Sequence, residues 1–184
     1  MVCAVKAFRS VVFGGVILLS GCSLSVNAGT PTTPYSEHTL QELCDFAKPF
    51  FILQSGAVNL RIGLLLSMPM SRKIEAGNGC FYHQSDEEGG RYLGNTYLRQ
   101  ERQSQTSQAD DSTAVRHINV DGVSVAQMVL PVPELQDQAT TRPPYKLFAK
   151  IDGWESSLVF YQGDDASSEA AAKVVVGMVR ALTG

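Results

Sequence analysis

The chain has 184 residues, with 15 basic against 18 acidic side chains and a formal net charge of −3. An acidic balance argues against nucleic acid, or an anionic lipid surface, as its partner. No internal repeat is visible, so solenoid and propeller architectures are set aside.

Lys6 and Arg9 precede an apolar run over residues 11–19, followed by the small residues Ser20 and Gly21 and then Cys22. A charged start, a short apolar core and small residues at a cut describe a secretory signal. The run is too short to be a good membrane span, which takes about 20 apolar residues. Leu19-Ser20-Gly21-Cys22 matches the bacterial lipobox, in which the cysteine thiol accepts a diacylglyceryl group before the chain is cut. Residues 1–21 are therefore expected to be a lipoprotein signal peptide. Cys22 then becomes the lipidated first residue, on the extracytoplasmic side of the cell membrane. Each buried methylene adds roughly 0.8 kcal/mol, and more than one acyl chain is needed for a stable anchor. After cleavage 13 basic and 18 acidic residues remain, a formal charge of −5. Cys3 leaves with the signal and Cys22 carries lipid, so Cys44 and Cys80 remain as one expected disulfide in an oxidising compartment.

Residues 22–36 are small, polar or proline and read as a flexible tether; residues 37–184 are read as one globular domain. Residues 37–51 place Leu40, Leu43, Cys44 and Ala47 at helical spacing, and Pro49 is expected to end or bend that helix. Residues 50–70 are apolar but broken by Gln54, Asn59 and Arg61. They read as a second, core-packed helix carrying Leu60, Ile62, Leu64, Leu65 and Leu66, in preference to a lipid- or partner-binding stripe. Cys80 to Gln84 and Tyr92 to Leu98 predict a β-hairpin around the acidic turn Asp86-Glu87-Glu88-Gly89-Gly90. Residues 99–113 are polar and predict a loop or strand end. Residues 115–120 and 123–130 flank Asp121-Gly122, a pair suited to a tight hairpin turn, with Pro131 and Pro133 stopping the second strand. The strongest hairpin pattern is Lys146 to Ile151 and Trp154 to Tyr161 around Asp152-Gly153. Asp165 or Ser167 then caps a helix through Leu182, with Ala171, Val175, Met178 and Leu182 on one face. The fold class expected is α+β, an antiparallel sheet packed by N-terminal and C-terminal helices.

Leu43-Cys44-Asp45-Phe46, Gly79-Cys80-Phe81-Tyr82 and the closing Ser168-Glu169-Ala170-Ala171-Ala172-Lys173-Val174, with the lipobox and tether, resemble small actinobacterial cell-envelope lipoproteins carrying a domain of unknown function. The resemblance implies a cysteine in a short helix, a second cysteine opening an aromatic strand, and no assigned catalytic residues.

Reactive constellations are sparse. Gly122-Val123-Ser124-Val125-Ala126 lacks the last glycine of a nucleophile elbow. His38, His83 and His117 are scattered, and no His-Glu-x-x-His occurs. His83 beside Ser85, Asp86 and Glu87 groups acid, base and nucleophile types but reads as a solvated turn. Asp110-Asp111 and Asp164-Asp165 lack calcium-loop spacing. No catalytic residue, metal or cofactor is expected. The leading expectation is a non-catalytic binding or accessory domain held at the membrane through Cys22, with an envelope protein or small amphiphile as partner. A lipid or glycolipid carrier with an apolar cavity is the alternative, and an envelope hydrolase the third. Outward-facing aromatics among Phe81, Tyr82, Tyr92, Tyr97, Trp154, Phe160 and Tyr161 are expected to mark the docking surface, with Trp154 and Phe160 assigned to the core.

Overall fold

A computed structural model describes residues 36–85, 90–101, 116–131, 143–161 and 163–183. The signal, Cys22 and the tether lie outside the described residues, as do Asp86 to Gly89, Asp110-Asp111 and Pro133. The elements run α1 (Leu40–Ser55), β1 (Arg61–Leu64), β2 (Gly77–His83), β3 (Tyr92–Gln100), β4 (Arg116–Val120), β5 (Val123–Val129), β6 (Tyr145–Ile151), β7 (Trp154–Phe160) and α2 (Asp165–Leu182). All seven strands join one antiparallel sheet in the order β1-β2-β3-β7-β6-β5-β4, so the α+β class and single domain are as expected.

Both predicted Asp-Gly turns are present. Asp121 and Asp152 each have φ 49°, followed by Gly122 at 83° and Gly153 at 79°. Two successive positive φ values match the right-handed strand twist, and an Asp-Gly pair tolerates them. The α2 cap falls one residue earlier than expected, because the Asp164 carboxylate accepts from the Ser167 amide at 2.8 Å. The face read from the sequence is correct: Ala171, Val175, Met178 and Leu182 are all buried.

Residues 49–70 depart from expectation, most of all in the second helix. Of the two outcomes expected at Pro49, ending the helix is excluded, because α1 continues to Ser55 and closes at Gly56 with φ 65°. Proline removes the donor to the Asp45 carbonyl, but both Asp45 and Pro49 are exposed. Water can therefore satisfy that carbonyl, and the break costs little more than one hydrogen bond. The second helix does not exist: residues 61–64 form edge strand β1, paired Arg61 to His83 and Leu64 to Cys80. A run of adjacent leucines fits helix or strand by hydrophobicity alone, and here alternation decides, with Ile62 facing the core and Gly63 the other side.

Both helices cover the same face of the sheet. Phe51 of α1 stacks on Tyr82 with ring centroids 4.1 Å apart, and Phe50 meets Phe160 edge-on at 5.4 Å. Val175, Val176, Met178 and Val179 of α2 pack into the same core as Leu147 and Leu158. Trp154 and Phe160 are buried, as expected, but so is Tyr82, whose hydroxyl donates to the Cys44 carbonyl at 2.8 Å. The Cys44–Cys80 disulfide, Cα–Cα 5.5 Å, ties the second turn of α1 to the middle of β2 inside this core.

The fold has a direction. Ser36, at the start of the described chain, donates its hydroxyl to the Leu182 carbonyl at the end of α2. The Leu40 and Gln41 amides bond the Arg72 and Met70 carbonyls at the same end. Register places the Asp121-Gly122 and Asp152-Gly153 turns there too. The opposite end carries the last turn of α1, Arg61, His83, Tyr92, Tyr161 and the first turn of α2.

Candidate functional site

The residues with reactive side chains are apart from one another. His38 sits at the start of α1, with Nδ1 3.3 Å from Glu42. His83 directs Nδ1 at the Gly90 carbonyl, 2.9 Å away, so that nitrogen carries the proton and donates. His117 Nδ1 and Ser124 Oγ are 3.2 Å apart across the exposed β4–β5 hairpin. Ser124 lies within β5, an extended strand rather than a strained strand-to-helix elbow. No group of three or more His, Cys, Asp or Glu among the described residues could hold a metal ion. No helix among them is long and apolar enough to cross a membrane.

What the topology does bring together is a chain of rings on the sheet face away from the helices. Phe81 and His83 lie on β2 with centroids 5.6 Å apart; His83 and Tyr92 follow at 5.4 Å, and Tyr92 and Tyr161 at 5.8 Å. The strip therefore crosses from β2 through the start of β3 to the end of β7. Phe81 can lie flat over the edge because position 63 is glycine; a Cβ there would sit 2.2 Å from the Phe81 ring. Asn95 donates its side-chain amide to the Tyr92 hydroxyl at 2.6 Å, which fixes one end of that ring. Burial raises the Tyr92 pKa, partly offset by the Asn95 hydrogen bond, so the phenol stays neutral. All four rings are partly exposed, unlike Tyr82, Trp154 and Phe160.

Sequence reasoning named Phe81, Tyr92 and Tyr161 among the aromatics to watch, and the structure gathers these three with His83 at one end of the sheet. Tyr97 lies on the same face, over Gly79 and close to Leu65. Arg61, read as an interruption in a helix, instead stands directly opposite His83 on edge strand β1. The same end shows two aliphatic side chains almost bare to solvent, Leu53 at 82% and Val58 at 91% exposure. The opposite end has a groove of about 280 Å³ lined by Ile151, Asp152, Trp154, Val179, Arg180 and Thr183. Its arginine is already bound to Asp121. A smaller groove, about 90 Å³, lies between Leu40, Met68 and Asn78. Both fall below the several hundred Å³ usual for a small-molecule pocket.

Compared with protein-family models, curated proteins and solved structures, the chain has no match in any of the three.

Proposed function

We propose that this protein is a lipid-anchored, non-catalytic binding domain of the cell envelope, tethered through Cys22, which docks its partner at the aromatic end of its sheet. The observation that carries the reading is the strip Phe81, His83, Tyr92 and Tyr161, partly exposed on the face without helices and remote from Ser36. Rings present large area with few rotors to freeze, so they are economical contact residues. A tether joined at Ser36 leaves the far end free to meet a partner. The histidines support the same reading: His83 is held by a backbone carbonyl, and His117 with Ser124 is an exposed pair on a hairpin. The carrier alternative has the Phe50 to Leu66 segment and the concave sheet face enclose an apolar cavity; against it, that segment is divided between α1, a turn and β1, and helix side chains pack on the inner face of the sheet.

The test is site-specific photo-crosslinking in the intact envelope, with benzoylphenylalanine at Tyr161 or at Ser124. A defined adduct from position 161 and none from 124 is expected. Equal labelling at both positions, or loss of function on His117→Ala or Ser124→Ala in a folded protein, would overturn the reading.

A further inference from the structure

Among the described residues the sheet ends in two free edges, β1 and β4, and they differ in chemistry. Edge β4 carries the polar side chains Arg116, His117 and Asn119. Along β1 the run from Leu60 to Leu66 has Arg61 as its one polar side chain, and the rest is aliphatic or glycine. Leu65 and Leu66 are 45% and 52% exposed. The ladder shows which way the backbone of this edge points. The Leu65 amide donates to the Gly79 carbonyl at 2.8 Å, and bonded and non-bonded pairs alternate along an antiparallel ladder. Arg61, Gly63 and Leu65 therefore turn their peptide groups toward β2, and Ile62 and Leu64 turn theirs outward. An apolar edge with outward peptide groups is a template for another strand, and this one has neither proline nor lysine to repel it.

We propose that β1 is the contact between two copies of this chain, paired antiparallel about a two-fold axis at Gly63. Self-complementarity selects a second copy as the occupant. In that register the outward groups of Ile62 meet those of Leu64 in the second copy, and the symmetry repeats the match. On the helix side Ile62 lies beside Leu64 of the second copy, and Leu60 beside its Leu66, which covers the exposed leucine. On the outer face Arg61 is opposite Leu65, and the two Arg61 backbones are about 14 Å apart, beyond a Debye length at physiological salt. Gly63 meets Gly63 of the second copy in a non-bonded pair, roughly 4.5 Å between Cα atoms. Each Phe81 ring already lies over its own Gly63, where a Cβ would sit 2.2 Å from it. The two rings then meet above the paired glycines. This contact goes beyond the docking reading and shares only Phe81 with it, since Tyr92 and Tyr161 lie further along the sheet. The pairing sets the two Ser36 positions at opposite ends of the joined sheet. Residues 22–35 can span roughly 46 Å when extended, more than the roughly 31 Å length of β3, so both copies can be anchored in one membrane. A contact along one edge is small and of the weak class, and tethering to a membrane raises the effective concentration that it needs.

The experiment is disulfide trapping of the full chain in intact envelopes, with two differently tagged copies co-expressed, one Arg61→Cys and the other Leu65→Cys. Positions 61 and 65 are direct opposites in this register, within the roughly 4.4–6.8 Å between Cα atoms that a disulfide spans, whereas each position is about 14 Å from its own equivalent. Mild oxidation should join unlike copies at least tenfold faster than like copies. Leu66→Glu in both copies should slow that joining about tenfold, and Leu66→Met should leave it unchanged. Unaltered Trp154 fluorescence establishes that each variant is folded. Equal joining of like and unlike copies, which marks random collision, would overturn the proposal, as would no joining at all or joining indifferent to Leu66→Glu. Trapping only between His117→Cys and Asn119→Cys copies would move the contact to β4, and adducts only to another protein would give the edge a foreign strand; either outcome sinks the β1 dimer.

Discussion

Removing the Cys44–Cys80 bridge tests how the two halves of the core are held. The cross-link spans 36 residues, and the chain-entropy model gives −2.1 − 1.5R ln n cal/mol/K, which at 25 °C is about 4 kcal/mol of stability. Both cysteines are fully buried, in the second turn of α1 and the middle of β2, so the bridge joins elements that otherwise meet through packing and the Tyr82–Cys44 hydrogen bond. The double variant Cys44→Ala/Cys80→Ala is expected to remain folded in buffer but to lose about 4 kcal/mol. For a chain of this size that corresponds to a fall in melting temperature of roughly 8–16 °C. Trp154 is the single tryptophan and is buried, so its fluorescence during urea unfolding reports the transition directly. A loss below about 1 kcal/mol with an unchanged denaturant slope would refute the reasoning, since it would mean that the unfolded chain gains little freedom without the bridge.

Cys22→Ala should abolish acyl labelling and leave the protein released or stalled as a precursor; normal processing into the membrane fraction would contradict the anchor. Tyr82→Phe removes the buried hydroxyl that bonds the Cys44 carbonyl and should cost about 1–2 kcal/mol in urea unfolding. Burial raises the folded Tyr82 pKa above its ordinary value of about 10. Its contribution is thus complete below that pH and is lost as pH rises toward the folded value, so the wild type should lose stability on the alkaline side more steeply than Tyr82→Phe. Thr39→Ala breaks the capping box and should cost about 1 kcal/mol. The Thr39 backbone amide and then its hydroxyl lower the Glu42 pKa from 4.5 to about 2. The associated stability is present above about pH 4.5 and is lost as pH falls toward 2; in Thr39→Ala, Glu42 should titrate closer to 4.5 by NMR.

Much of the sheet was legible because its turns demand particular residues. Asp121-Gly122 and Asp152-Gly153 are among the few dipeptides that accept two positive φ values, so each fixed a hairpin and, with it, which side chains share a face. The final helix was legible from its period. Residues 60–66 were not, because whether an apolar run is helix or edge strand depends on β2 lying beside it, a contact between distant parts of the chain. The same misreading hid Arg61. Inside a supposed helix it was only a polar interruption, whereas on β1 it faces His83. The aromatic strip was half legible: Phe81, Tyr92 and Tyr161 could be named, but Tyr82, adjacent to Phe81, points into the core because strand neighbours alternate. Only pairing could show which of the two remained outside.

The seam between β3 and β7 bears on how the chain reaches this fold. Gln100 and Trp154 are register partners 54 positions apart, and β7 is the last strand made, yet it lies in the middle of the sheet with β6 on its other side. During synthesis or export from the N terminus, β1 to β3 therefore emerge with an exposed inner edge that nothing before β7 can occupy in this topology. Closing such a distant contact late makes folding slow relative to helical domains of similar size. It also makes the waiting edge of β3 the place where an incomplete chain would pair with the wrong strand.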